Sequence, residues 1–293
     1  MTSKMQQEID SFLHHIRGEK AYSENTISAY RNDLGQFLDF IARQVSDWRE
    51  VKHTNLSAYV NSIKQGKYAS STLARKIAAV KSFFHYLVET GLLEDDPSAM
   101  LDSPKVKKRL PKILSYEEVE ALLNEPVEST SPKSLRDKAF LELLYASGMR
   151  VSELVSLNID DIDLENNTIQ CASKAEKRRV LPLKERVGNA LRAYLERGRT
   201  ALVHDEQERA LFLNHRGHRL TRQGLWLIIK NHVKAVGLDT DVTPHTLRHS
   251  FATHMLRGGM DLSTIQKLLG HANISTTQIY AQMNQEITET QEH

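Results

Sequence analysis

The densest group of reactive side chains in this sequence is Thr243-Pro244-His245-Thr246-Leu247-Arg248-His249-Ser250-Phe251-Ala252-Thr253-His254. Pro244 suits the first turn of a helix, and His245 and Arg248, three apart, then project from one face near its N-terminus. Such a place favours an anion, because the helix dipole and unpaired N–H groups point at it and arginine adds a charged, planar, bidentate donor. His245 and His249 are also four apart, a spacing that can chelate zinc on a helix. However, no Glu follows His245 directly and no acidic or cysteine residue lies between His245 and His254. His249 and His254 are therefore read as packing or hydrogen-bonding residues, and no metal is expected.

Two further segments carry candidate chemistry. Leu268-Leu269-Gly270-His271 is followed, nine residues after the histidine, by Tyr280. Gly270 fits a helix C-terminus that would turn His271 inward, and Ser275-Thr276-Thr277 fits the start of a short helix carrying Tyr280. Upstream, Ala146-Ser147-Gly148-Met149-Arg150-Val151-Ser152-Glu153-Leu154 places Arg150 just after a helix break. There Arg150 can also pair with Glu153.

These segments need elements to hold them, and the apolar spacing predicts mostly helices. Ile27, Tyr30, Leu34, Phe37, Leu38 and Ile41 recur at threes and fours behind Ser23 as N-cap, and Leu73, Ile77, Val80, Phe84 and Leu87 do so between Ser70 and Gly91. With shorter amphipathic stretches at 9–16 and 56–63, they predict a bundle of four or five helices. Its outer faces carry Thr26, Arg31, Thr72, Arg75, Lys76 and Lys81, side chains of the kind that meet phosphate backbones. Asp95-Asp96-Pro97 ends this part, and a proline-flanked segment follows in which Lys105, Lys107, Lys108, Arg109 and Lys112 make five of eight residues basic.

A capping box at Ser115 and Glu118 opens the second part. It reads as helix over 135–147, then three short strands at 162–164, 168–171 and 179–183, with Lys174-Ala175-Glu176-Lys177 as a hairpin turn. Helices return at 225–236, 246–256 and 262–269, with a short last one near 276–280. The fold class is mainly α with a small antiparallel sheet, in two domains: 1–100 helical, 101–112 a basic linker, and 113–293 α+β with a C-terminal tail. In that tail Met283 and Ile287 stand four apart, fitting a short amphipathic helix that docks on a neighbouring protomer.

Composition sets the outer bounds. The 293 residues are 40% hydrophobic and 26% charged, with net charge +2, which excludes extended disorder. Apolar runs such as Leu225–Ile229 fall far below the roughly 20 residues that span a bilayer, and the N-terminus lacks a secretory core, so a cytoplasmic location is expected. The one cysteine, Cys171, forms no internal disulfide and reads as a small strand residue.

In combination and order, Gly-Met-Arg-Val-Ser-Glu-Leu at 148–154, His-Thr-Leu-Arg-His-Ser-Phe-Ala-Thr-His at 245–254, Leu-Gly-His at 269–271 and Tyr280 resemble the tyrosine recombinases of the phage-integrase class, most closely the bacterial Xer site-specific recombinases. The resemblance covers essentially the whole chain. It implies a core-binding domain and a catalytic domain forming a clamp around duplex DNA, with Arg150 and Arg248 clamping the phosphate. His245 and His271 would complete the pocket, and Tyr280 would be the nucleophile. It also implies a lysine of the β-hairpin; Lys174 keeps the family's usual distance before Val180-Leu181-Pro182-Leu183, and Lys177 is its rival, because Ser173-Lys174-Ala175 stands where the family often has Gly-Lys-Gly.

The chemistry suits these residue types. Displacement at a phosphodiester concentrates charge on the nonbridging oxygens, which two guanidiniums can meet without metal. A tyrosine, of reference pKa about 10, needs a neighbour to take its proton, a part open to His245, while Lys174 can protonate the departing 5′ oxygen. Glu153 would support the Arg150 segment. The resemblance implies a 3′-phosphotyrosyl intermediate, no cofactor and no ATP, and a homo- or hetero-tetramer on a dif-like duplex. A sister recombinase and a division-linked DNA translocase are possible partners. The biological setting it implies is chromosome or plasmid dimer resolution in partition and cell division; a phage or transposon integrase, or a non-cleaving DNA-binding protein of this fold, are the alternatives.

Overall fold

The computed structural model describes residues 2–20, 22–102, 104, 112–125, 131–173, 176–238, 241–270 and 280. The chain divides into two compact units, Met1–Arg109 and Leu110–His293. Lys105, Lys107, Lys108, Arg109, Lys174, His271, most of the expected helix at 276–280 and the tail beyond it lie outside the described residues.

The first unit is built from α1 (Thr2–Gly18), α2 (Glu24–Ile41), a single 3-10 turn at Trp48–Glu50, α3 (His53–Gln65) and α4 (Ser70–Glu89). Ser23 caps α2 by accepting from the Thr26 amide, and the buried face of α2 comprises Ile27, Tyr30, Asp33, Leu34, Phe37, Leu38 and Ile41. Phe37, Phe83 and Phe84 close around Trp48 at centroid distances of 4.9 to 6.0 Å, mostly edge to face. The Trp48 indole N–H reaches the Met5 carbonyl at 3.2 Å, so the large buried ring keeps its polar atom satisfied and ties α1 to the turn.

One expectation for this unit is corrected. Lys76 is not on the outer face: it is 3% exposed, with Nζ donating to Asp33 Oδ1 at 2.9 Å and to Gln36 Oε1 at 2.6 Å. Asp33 is itself buried within the helical stripe, and a buried carboxylate requires counter-charge. Arg75 also engages Asp33 and spans to the Ala29 carbonyl at 3.4 Å. Both basic residues thus join α4 to α2. Arg31 is exposed, Thr26, Thr72 and Lys81 are half-buried, and Lys81 donates to the Leu101 carbonyl at 3.0 Å.

The second unit runs α5 (Tyr116–Asn124), α6 (Pro132–Ser147), α7 (Val151–Ser156), β1 (Ile162–Asp163), β2 (Thr168–Ser173), β3 (Glu176–Pro182), α8 (Glu185–Ala193), α9 (Thr200–Leu202), α10 (Arg222–Ala235), α11 (Pro244–Arg257) and α12 (Leu262–Leu269). The strands form one antiparallel sheet in the order β1-β2-β3, with Ile169 opposite Leu181 and Cys171 opposite Arg179. Glu176 and Lys177 belong to β3 rather than to the hairpin turn, since Ser173 pairs with Glu176. The fold is thus mostly helical with a small three-stranded antiparallel sheet. Among the described residues no helix is long and apolar enough to cross a membrane.

Three helix ends matter for the site. Gly148 ends α6 in the left-handed conformation at φ 58°, and a Cβ there would sit 2.4 Å from a Phe251 ring carbon and 2.8 Å from a Leu269 methyl. Gly270 ends α12 in the same way at φ 64°. Thr243 caps α11 through a box with Thr246, with Pro244 at the first helical position. Buried Phe251, Ala252, Ile265, Leu269 and Tyr280 pack these ends together.

Candidate active site

Arg150 stands at the N-cap of α7, directly beyond the α6 break, and Glu153 is the third residue of that helix. The Glu153 carboxylate accepts the Arg150 amide at 2.6 Å and the Arg150 guanidinium at 3.4 Å. It also takes both Nη atoms of Arg179, at 2.8 and 3.1 Å. Against burial, which raises its pKa, the Arg179 hydrogen bonds and the Arg150 amide hold Glu153 below the usual carboxylate range. Arg179 was not among the residues the sequence singled out. Its only signal there is alternation: it occupies β3 opposite Cys171, and its side chain is 14% exposed.

The two arginines expected at the phosphate are held on carbonyl groups at helix ends. Arg150 Nη2 donates to the Gly270 carbonyl at 2.7 Å, and Arg248 Nη2 donates to the Leu269 carbonyl at 2.8 Å. Arg248 Nη1 donates to the Gly148 carbonyl. The last carbonyls of a helix lack intrahelical partners and carry the negative end of its dipole. The C-termini of α6 and α12 therefore position both guanidiniums, and Gly148 and Gly270 make those carbonyls reachable.

The electrostatics of this arrangement are unusual. Arg248 is 5% exposed, and burial, followed by the charge of Arg150, pushes it down to about 10. Two like charges held together in a partly desolvated place favour a bound anion. The structure brings Arg150 and Arg248, both expected at the phosphate, close enough for the charge of the first to act on the second.

Tyr280 is 1% exposed and packs in the apolar cluster that joins α11 and α12. Its hydroxyl lies 3.1 Å from His249 Nδ1 and is hydrogen-bonded to Arg248. Burial raises the Tyr280 pKa, while Arg248 opposes the shift. The hydrogen-bonded histidine is thus His249, one turn beyond His245, which is exposed on the first turn of α11. Two histidines four apart share a helix face, so spacing could not choose between them; depth does, because Tyr280 enters beside the second turn. Burial, then His245 and Arg248, push His249 down to about 4.

His254 serves packing. It stacks on Tyr116 at 3.9 Å and meets the Tyr145 hydroxyl through Nδ1 at 2.8 Å. Among the described residues no three His, Cys, Asp or Glu side chains come together as a metal site would require. Lys174 and His271 lie outside the described residues.

Comparisons with known proteins give the family. Residues 112–286 match the phage integrase family and residues 9–91 its N-terminal SAM-like domain. The chain is 48% identical to "Tyrosine recombinase XerC" of Roseiflexus castenholzii over 98% of this chain and 92% of that protein. It is 43% identical to "Tyrosine recombinase XerD" of Halalkalibacterium halodurans, over 93% and 91%. Among solved structures, the XerH site-specific recombinase in a post-cleavage complex with a palindromic difH substrate superposes with a TM-score of 0.75 at 25% identity, covering 91% of this chain and 78% of that one. A helical SAM-like domain, a mixed catalytic domain and relatives this similar over nearly the full length identify the chain as a member of the phage integrase family, a Xer-type tyrosine recombinase acting in site-specific recombination.

Proposed function

We propose that this recombinase cleaves and rejoins duplex DNA through Tyr280, with the scissile phosphodiester held between Arg150 and Arg248. The observation that carries this reading is the paired anchoring of those guanidiniums on the carbonyl ends of α6 and α12, with Arg248 also bonded to the Tyr280 hydroxyl. Attack by the Tyr280 oxygen on phosphorus forms a 3′-phosphotyrosyl bond as the bond to the 5′ oxygen breaks. Charge gathers on the nonbridging oxygens, where fixed guanidiniums need no reorganisation to stabilise it. Lys174 protonates the departing 5′ oxygen, and His245 and His271 complete the phosphate pocket. Glu153 acts through Arg150, keeping its amide and guanidinium in place.

The reverse step uses a 5′ hydroxyl from a partner strand and restores both the DNA bond and Tyr280. Because bond energy is conserved in the phosphotyrosine, the exchange needs neither ATP nor a cofactor. The XerC and XerD names of the relatives, and the difH complex of a structural neighbour, support action at a dif-like site in the resolution of chromosome or plasmid dimers. Exchange between two duplexes requires four active sites, hence a tetramer of this chain, or of this chain with a sister recombinase, and a division-linked translocase could act on it. The helical first unit, 1–100, contributes DNA contacts from exposed Arg31 and half-buried Thr26, Thr72, Arg75 and Lys81, continued by the basic segment at 101–112.

The test is recombination in EDTA of a plasmid carrying two dif-like sites, with the sister recombinase added in a second arm. Resolution into two circles by the wild type, and none by Arg248→Ala, is expected. Equal resolution by both proteins would remove Arg248 from the reaction.

A further inference from the structure

Glu153 is a buried carboxylate between two arginines, and its bonds to them are unequal. Arg179 sets a fork against both oxygens, Nη1 on Oε1 at 2.8 Å and Nη2 on Oε2 at 3.1 Å, the geometry in which a guanidinium holds a carboxylate best. The Arg150 guanidinium meets Oε1 at 3.4 Å through Nη1, while its Nη2 turns to the Gly270 carbonyl at 2.7 Å. The Arg150 side chain is 34% exposed and that of Arg179 only 14%. Arg150 therefore faces the place where a phosphate would sit, and Arg179 lies behind it.

A carboxylate beside an arginine that must meet a phosphate is a competitor for it. Buried without a full counter-charge, Glu153 would draw the Arg150 guanidinium into a closed ion pair, and the DNA would have to break that pair to bind. We infer that Arg179 is a positioning residue that occupies the Glu153 carboxylate so that the charge of Arg150 is left to the scissile phosphate, an inference that rests on Arg150 clamping that phosphate. Glu153 then keeps one task toward Arg150, accepting its amide at 2.6 Å and so fixing the start of α7.

The surroundings favour this division of labour. Burial opposes the charged form of Glu153, and the Arg179 hydrogen bonds do more than the Arg150 amide to keep it ionised. Arg179 is itself fixed from two sides: it pairs with Cys171 across the sheet, and its Nε donates to the Leu268 carbonyl at 3.1 Å. Arg248 lies in the same field, pushed down first by burial and then by Arg150, with Glu153 and Arg179 acting on it in opposite directions. With Glu153 and Arg179 cancelling each other, the charges of Arg150 and Arg248 remain for the anion. Fixed cations of that kind stabilise a charged transition state without reorganising.

The experiment measures single-turnover adduct formation on a nicked dif-like duplex with three scissile groups: the native phosphate, a methylphosphonate, whose neutral centre asks less of Arg150, and a 5′-bridging sulfur, whose departure needs no acid. Arg179→Met is expected to lose up to about 10²-fold on the native phosphate, the scale for a catalytic group displaced by about 1 Å, and to approach the wild-type rate on the methylphosphonate. Arg179→Lys, which keeps a cation against Glu153, should retain more of the native rate. In a Glu153→Gln background Arg179→Met should cost nothing further, because the charge it holds is gone, and that comparison stands even if Arg179→Met alone does not fold. A wild-type rate for Arg179→Met on the native phosphate would overturn the inference. An equal loss on the methylphosphonate, or an undiminished loss in the Glu153→Gln background, would do the same. So would rescue by sulfur, which would mean that Arg179 acts through the hairpin that carries Lys174. A wild-type rate for Arg150→Ala on the native phosphate would instead sink the role of Arg150 beneath it, so the two failures are distinguishable.

Discussion

Arg179 places two nitrogens on the two carboxylate oxygens of Glu153, at 2.8 and 3.1 Å, while the same carboxylate receives the Arg150 amide at 2.6 Å. A residue of the sheet thereby sets the position of an arginine at a helix break, and Arg179 Nε extends the link to the Leu268 carbonyl at the end of α12. The sheet, α7 and α12 are joined at one buried acid.

Breaking that junction should be costly. Glu153→Gln leaves two cations short of their partner in a buried place, and a buried pair broken on one side costs about 3 to 5 kcal/mol. Urea denaturation should show that loss at pH 7. Because the folded pKa of Glu153 is lowered, its contribution is full above the unfolded value of about 4.3 and fades as pH falls through the folded value. The stability gap between wild type and Glu153→Gln should therefore hold above the unfolded value and begin to shrink only as pH falls below it.

Gly148→Ala should damage both stability and cleavage. The left-handed backbone alone costs an L-residue roughly 1 to 2 kcal/mol, and the added carbon would meet the Phe251 ring and Leu269. Relief of that contact moves the Gly148 carbonyl away from Arg248. The expected result is a lower Tm together with slower single-turnover cleavage; an unchanged rate at a lowered Tm would separate Gly148 from Arg248 positioning.

If Arg150 and Arg248 await an anion, orthovanadate or phosphate should stabilise the free protein. At ten times the dissociation constant, linkage gives about 1.4 kcal/mol, or a rise of roughly 3 to 6 °C for a unit of this size. Differential scanning fluorimetry should show a saturable rise that Arg150→Ala abolishes, with sulfate as a second anion.

Much of this was legible in the sequence, and the remainder fails for identifiable reasons. Local spacing places Arg150 after a helix break and Arg248 on a proline-started helix, and it was the resemblance to the tyrosine recombinases that implied their pairing at a phosphate. That His249 is the histidine bonded to the Tyr280 hydroxyl was hidden, because helical periodicity puts His245 and His249 on one face and only the depth of Tyr280 separates them. Arg179 reads as an ordinary strand position, since its partner Glu153 lies 26 residues away. Lys76 was misplaced for a related reason: the charge that buries it is Asp33 on another helix, and a pairing across 43 residues leaves no mark on the periodicity of α4.

Cys171 offers a probe of native packing. It is fully buried in β2, and burial pushes its thiol up to about 11. A thiol reagent at pH 8 should leave the native protein unlabelled and label one site in urea. Rapid labelling of the folded protein would show that the sheet opens.

The measurement that bears most directly on the account is covalent trapping on a nicked dif-like suicide duplex in EDTA, resolved on a denaturing gel and followed by mass spectrometry of the digested adduct. The account predicts a protein–DNA band from the wild type, with the 3′ phosphate on Tyr280, and no band from Tyr280→Phe. A band from Tyr280→Phe, or attachment of DNA to any other residue, would contradict it.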